Sequence, residues 1–335
     1  MSNSWYPYVK ESPFMGYIGY GGGATSLAHK SGSTTSPPRG DRGIWAGGRD
    51  NTGPNPKTNR IDYVALTSTG NCSDFGDIPT AGDAQAGVSN GTRGVFGGLM
   101  TPGTPELKNS IDYITIGTTG NASDFGDLSQ NNGALAAVSS ETRGVFGGGE
   151  AGYPNPTNTM EYITTASTGN TTDFGDLTQG RYNLAGLSNG SRGLYGGGGA
   201  PSFTNVIDYI TIENTGNATD FGNLLNPREL FRAGVSNETR GIWGGTYGPS
   251  IYGDVIQYVT IATTGNATDF GDLTQGRSGV AATMNATRGV FGGGYVSGGP
   301  VQDTMDYITM ETTGNATDFG DLTDDRGWGG ATSGD

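Results

Sequence analysis

Along most of the chain, short apolar runs of strand length alternate with clusters of Gly, Asn, Thr and Ser. The stretch from Arg181 to Leu224 shows the unit. Residues 184–188 are small and apolar and stop at Asn189-Gly190, and residues 192–196 run into a glycine cluster. Residues 206–212 are rich in β-branched and aromatic side chains, and residues 218–224 carry Asp220-Phe221-Gly222. Val, Ile, Thr, Tyr and Phe fit a pleated backbone, while Asn-Gly and Thr-Gly-Asn between the runs are hairpin turn chemistry. Four strands (a, b, c and d) joined by tight turns are therefore predicted for each unit. Runs b and c are apolar on both alternating faces, which suits a sheet covered on both sides.

The unit recurs. Arg-Gly-aliphatic-aromatic begins at Arg42, Arg93, Arg143, Arg192, Arg240 and Arg288, in steps of 48 to 51 residues. A second marker places Tyr after Asp62, Asp112, Glu161, Asp208, Gln257 and Asp306. A third, Asp-Phe-Gly, starts at Asp74, Asp124, Asp173, Asp220, Asp269 and Asp318. A period near ~50 residues with several short strands per unit is a propeller signature. The prediction is an all-β fold over residues 41–335: a six-bladed kelch-like β-propeller with four-stranded antiparallel blades. The first unit starts at Arg42 without a strand a, and the segment from Arg326 to Asp335 aligns with residues 181–190. The C-terminal strand is thus expected to join the N-terminal blade and close the ring, which removes open edges.

Residues 1–40 lie outside the repeat and form an aromatic and Gly-rich arm or anchor. Trp5, Tyr6, Tyr8 and Phe14 crowd its first half, followed by Tyr17, Tyr20, Gly21-Gly22-Gly23 and Pro37-Pro38. This aromatic density is too high for an inert tail. The arm either packs on the propeller or docks on a partner.

Composition narrows the function. The net charge is −14, and lysine occurs only at Lys10, Lys30, Lys57 and Lys108. Nucleic acid needs a cationic groove to neutralise its phosphates, so no nucleic-acid partner is expected, and anionic membrane surfaces are disfavoured in the same way. No run approaches the ~18 apolar residues of a membrane span. The first residues lack the basic and apolar regions of a secretory signal. Cys72 is the only cysteine, so no intrachain disulfide can form.

Catalytic groups are sparse. His29 is the only histidine, and a Ser-His-Asp triad or a histidine zinc site would have to use it, so no catalytic residue is assigned. Asp-Phe-Gly matches the kinase magnesium motif as text, but the catalytic-loop and strand-lysine motifs are missing. Its repetition reads as structural: Phe fills between blades, Gly permits a bend, and Asp bonds local backbone amides. Asp74 with Asp77, or Asp318 with Asp321, could offer oxygens to calcium. They form no EF-hand loop and Asn223 replaces the second Asp in one unit, so no metal or cofactor is assigned. No pair of carboxylates stands out for glycoside hydrolysis. Asn-X-Ser/Thr at Asn121, Asn217, Asn266, Asn285 and Asn315 reads as equivalent turns that favour Asn. Arg39-Gly40-Asp41, an adhesive tripeptide, follows two prolines and reads as a chance turn.

Comparison of the repeats points to one face. The a–b and c–d turns barely change, whereas the b–c connections (49–60, 99–110, 149–159, 198–205, 245–254 and 294–304) differ in length and content. In a four-stranded blade the b–c and d–a connections emerge together, and variable loops on a rigid scaffold usually carry recognition. These loops bring Tyr153, Phe203, Tyr247, Tyr252 and Tyr295, which suit stacking on sugars or a protein hot spot. Alternatively, the loops are spacers whose aromatics fold back over the blades.

The glycine cluster after run b and the Arg before run a resemble kelch repeats, with Phe of Asp-Phe-Gly-Asp-Leu in place of the kelch Trp. The string Thr263-Thr-Gly-Asn-Ala-Thr-Asp-Phe-Gly-Asp-Leu-Thr274, with Thr287-Arg-Gly-Val-Phe-Gly-Gly293, is similar to the repeat of kelch-like virion structural and tail-fibre proteins of marine and cyanobacterial tailed phages. The resemblance covers about residues 42–335. It implies a non-enzymatic virion component, a tail fibre, tip or decoration, made in the host cytoplasm and acting outside it. Other virion proteins would bind through the N-terminal arm, and a host-surface glycan or protein through the propeller. A cellular kelch-type interaction scaffold and a propeller glycan hydrolase or lyase are the alternatives.

Overall fold

The computed structural model describes residues 40–51, 56–102, 106–152, 155–199, 202–227, 233–247 and 252–335. Six four-stranded antiparallel sheets form the blades of a closed ring within the unit Thr34–Asp335. From the axis outward, blade one is Gly330–Gly334, Arg42–Ala46, Arg60–Ala65 and Ser73–Asp77. Blade two is Ala86–Ser89, Arg93–Thr101, Glu106–Thr115 and Ser123–Asp127. Blade three is Ala136–Ser139, Arg143–Gly147, Thr159–Thr164 and Thr172–Asp176. Blade four is Ala185–Ser188, Arg192–Gly196, Val206–Thr211 and Thr219–Asn223. Blade five is Gly234–Ser236, Arg240–Tyr247, Tyr252–Thr260 and Thr268–Asp272. Blade six is Ala281–Met284, Arg288–Gly292, Thr304–Thr309 and Thr317–Asp321.

The C-terminal strand closes the ring as the repeat alignment predicts. It pairs antiparallel with the first strand, Arg42 opposite Gly334 and Ala46 opposite Gly330. Its inner position puts it against the innermost strands of blades two and six.

The core lies between blades. Ile44, Ile61 and Phe75 of blade one pack with Phe96, Ile114 and Ile116 of blade two, and equivalent clusters fill the other boundaries. The aromatic residue of each second strand inserts into the preceding blade. Trp45 Nε1 donates to the Ala281 carbonyl (3.2 Å), and the Tyr195 hydroxyl to that of Val145 (3.0 Å). Burying such a ring removes about 150–250 Å² from water, so these residues dominate blade-to-blade cohesion.

The repeat markers have inter-blade roles. The Arg that opens each second strand stacks on the Tyr of its own blade, 4.2 Å from the ring centroid for Arg143 over Tyr162. Its Nη1 then donates to a carbonyl of the next blade: Arg42 to Ile116, Arg93 to Thr165, Arg143 to Ile212, Arg192 to Ile261, Arg240 to Met310 and Arg288 to Leu66. The last of these crosses the closure.

The outer strand is not a bare edge. The c–d turn of the next blade lies along it: Gly120 N–H donates to Phe75 O and Ala122 N–H to Asp77 O (both 2.8 Å). In return Asp77 N–H donates to the Asn121 side chain (3.1 Å), and Asn170, Asn217, Asn266, Asn315 and Asn71 repeat this contact at the other boundaries. This corrects the reading of Asp-Phe-Gly-Asp. The bonded group is the main-chain N–H of the second Asp rather than a carboxylate holding local amides. The glycine is required by the neighbour: Gly76 has φ +147°, and a Cβ there would lie 2.5 Å from Gly120 O. Phe75 is buried edge-on to Tyr63 (5.9 Å). Asn285 is also corrected. It sits in an a–b turn and accepts from Thr287 and Arg288 N–H, unlike the c–d asparagines.

Two b–c connections are largely strand, not loop. In blades two and five the second and third strands extend into long hairpin arms through residues assigned above to 99–110 and 245–254. Just beyond the ends of the other second strands, Gly48, Gly149, Gly198 and Gly294 take φ +98° to +120°, where blades two and five carry Leu99 and Thr246.

Candidate recognition face

The chain enters the ring on the a–b turn face, where Asp41 N–H donates to Asp335 O (3.1 Å). The b–c and d–a connections form the opposite, loop face. There Phe203 of blade four and Tyr247 of blade five meet edge to face, with centroids 5.8 Å apart at 86°. Tyr247 is 39% exposed and Phe203 half-buried. Beside Phe203, Gln179 Nε2 donates to Thr204 Oγ1 (3.0 Å). Leu225, on the connection between blades four and five, is also exposed. An apolar corner flanked by amide and hydroxyl groups is suited to a sugar ring or an aromatic side chain.

Of the other expected binding residues, Tyr295 behaves differently. It lies against Trp328 (4.4 Å, 34°), and Arg49 stacks on that indole at 4.3 Å. Here the aromatic folds back over the blades. Arg49 Nη2 also pairs with Asp83 (2.8 Å), as does Lys57 Nζ (2.9 Å). Lys57 Nζ donates further to Met100 O (2.7 Å) and Thr101 O (3.1 Å). Burial lowers the Lys57 pKa, and Asp83 opposes the shift. This network ties blades six, one and two together across the loop face. Tyr252 falls in the third strand of blade five, but its side chain lies outside the described residues. Tyr153, the anchor residues Trp5, Tyr6, Tyr8 and Phe14, and His29 also lie outside them.

Trp328 was not singled out by sequence. It takes φ +61°, as its counterparts Ala84 (+68°), Ala134 (+57°), Asn183 (+54°) and Gly279 (+67°) do. The conformation aims each N–H at the preceding blade: Ala84 to Trp328 O, Ala134 to Ala84 O, Asn183 to Ala134 O and Trp328 to Gly279 O, at 2.7–3.1 Å. Nothing in the local sequence marks this position, because four of the five residues lack the glycine that φ > 0 favours.

The axis holds a cavity of about 80 Å³ lined by small residues such as Gly87, Ala137, Gly186 and Ala331. Ser188 Oγ donates to Ser139 O (2.7 Å), Ser236 Oγ to Ser188 O (2.6 Å) and Thr283 Oγ1 to Thr332 O (2.7 Å), drawing neighbouring inner strands together. Small-molecule sites usually occupy about 300–1,000 Å³, so the axial space suits a few waters rather than a substrate.

Beneath the loop face, each third strand carries an acidic or amide side chain under the connection that enters its blade. Asp62, Asp208 and Asp306 are fully buried and pair with Arg326, Arg181 (2.7 Å) and Arg277 (2.6 Å). Thr323, Thr178 and Thr274 hydroxyls donate to the same carboxylates at 2.6–2.7 Å. Glu161 accepts from Ser129 and Thr171, and Gln257 Oε1 from Leu225 N–H (2.8 Å). Asp112 is half-buried, with its pKa raised to about 6 by desolvation and by Asp124. Among the described residues, no group of three or more His, Cys, Asp or Glu could hold a metal ion, and no helix is long and apolar enough to cross a membrane. No protein-family model and no curated protein matches the chain.

Proposed function

We propose that the protein is a non-enzymatic virion component of a tailed phage, a tail fibre, tip or decoration, whose loop face recognises the host surface or another virion protein. A six-bladed propeller fits an interaction scaffold. The observation that carries the reading is the division between faces. On the turn face, the repeated Arg and Asn side chains are engaged in bonds between blades. The loop face differs from blade to blade and bears the Phe203–Tyr247 corner, where Tyr247 is exposed. In this reading residues 1–40, with Trp5, Tyr6, Tyr8 and Phe14, serve as the anchor. The phage assignment rests on the likeness of the repeat strings.

The ligand is not a polyanion in this reading. Net charge is −14, and every described Arg and Lys is engaged by a carboxylate, a carbonyl or an aromatic ring. A neutral glycan or a neutral-to-basic protein surface fits better. Immunogold labelling of purified particles tests the proposal. Label at a fibre tip or at the particle periphery is expected, and absence of the chain from intact particles would overturn it.

A further inference from the structure

The six third-strand positions under the loop face amount to an experiment within one chain. Where the entering connection supplies Arg and Thr, the third strand supplies Asp, as in blades one, four and six. Blade three holds Glu161 with two hydroxyl donors, from Ser129 and Thr171. Blade five holds the neutral Gln257, which accepts from Leu225 N–H, and Arg228 of its connection lies outside the described residues. Blade two breaks the correspondence. Its connection carries Pro79 where the connections into blades one, four and six have Thr, and Gly82 where those three have Arg. Pro79 offers neither a hydroxyl nor an N–H. The arginine cannot be supplied from position 82, because a Cβ there would lie 2.3 Å from Leu99 Cδ1. The carboxylate nevertheless remains, as Asp112, and it is partly open to solvent where Asp62, Asp208 and Asp306 are sealed.

The nearby cations are committed. Arg49 and Lys57 are held by Asp83, Lys108 pairs with Glu106, and Arg93 stacks on Tyr113 while donating to Thr165 O. Asp124, opposite Asp112 in the outer strand, adds negative charge. Among the described residues this carboxylate has no donor, whereas the carboxylates of blades one, four and six accept charge-assisted hydrogen bonds.

We propose that Asp112, at the loop-face boundary of blades one and two, is a docking point for a cationic side chain of a protein partner, taking the guanidinium that Arg181, Arg277 and Arg326 provide internally in sister blades. This deepens the recognition reading by giving the partner a chemistry: an arginine projecting from a neutral or basic surface. The site lies apart from the Phe203–Tyr247 corner, on a different pair of blades.

The probe is N-acetyl-arginine amide, titrated into the isotope-labelled full chain and followed by amide NMR, with the citrulline analogue as its neutral isostere. Saturable shifts at Thr80, Gly82, Asp112 and Tyr113 are expected with the arginine compound alone. Asp112→Asn should abolish them, and affinity should fall at least tenfold from pH 7.5 to pH 5 as the carboxylate takes up a proton. Absence of saturable shifts in the wild type, an equal response to citrulline, or unchanged affinity in Asp112→Asn would overturn the proposal. The probe carries no sugar or aromatic group and needs no particle, so this result and the particle labelling succeed or fail separately. Asp112→Asn removes an unpartnered charge and is expected to fold.

Discussion

Asp112 and Asp208 hold the same place in their blades, yet their surroundings differ. Asp208 has an arginine and a threonine, so its charge is satisfied. Burial raises the Asp112 pKa to about 6. A raised carboxylate pKa means that the folded state favours the neutral form, so this group lowers stability once pH rises above its unfolded value near ~4. The penalty grows through pH 6 and is absent in acid. Asp112→Asn should therefore raise the unfolding free energy by about 1–2 kcal/mol at pH 7.5, discounted from the full shift for partial exposure, and change little at pH 4. Urea melts at the two pH values check this. Pro79 and Gly82 were visible in the sequence, but their meaning depends on which carboxylate lies beneath them, and that is a contact about thirty residues away.

At the scale of strands and turns, local chemistry was readable and neighbour contacts were not. The pieces at 192–196 and 206–212 match Arg192–Gly196 and Val206–Thr211 because β-branched runs and Gly-Asn turns act locally. The hairpin arms of blades two and five were hidden among b–c residues that differ from unit to unit, with Leu99 and Thr246 at a position that is glycine elsewhere. The glycine of Asp-Phe-Gly looked like a bend, and its real constraint is the turn of the next blade. Gly76→Ala forces Cβ against Gly120 O at a φ that L-residues avoid, so it should cost about 1–3 kcal/mol. Thermal unfolding measures that loss. A much smaller change would mean that the inter-blade turn contact yields easily.

At the scale of the ring, closure was legible because an orphan first strand and an unmatched C-terminal segment complete one unit. The strand Gly330–Gly334 pairs with Arg42–Ala46 and touches blades two and six, so it joins both ends of the chain. Truncation after Trp328 would leave Arg42–Ala46 as a free edge and open the axis. With each lost hydrogen bond contributing about 1 kcal/mol, stability should fall by about 5 kcal/mol and unfolding should lose cooperativity in calorimetry.

The proposed recognition face was less legible. Phe203 and Tyr247 were picked individually, but their meeting across two blades is a property of the closed ring. The same reasoning chose Tyr295, which instead stacks on Trp328. The central claim, that the loop face recognises while the turn face holds the ring together, is tested most directly, under the proposed virion role, by binding of labelled protein to cells of the proposed host bacterium. The double variant Phe203→Ser with Tyr247→Ser should lose at least tenfold in binding while its melting temperature stays within a few degrees of the wild type. A control at the exposed turn-face residues, Thr119→Ser with Thr264→Ser, should bind as the wild type does. Full binding by the loop-face variant, or loss of binding only in the turn-face control, would contradict the account.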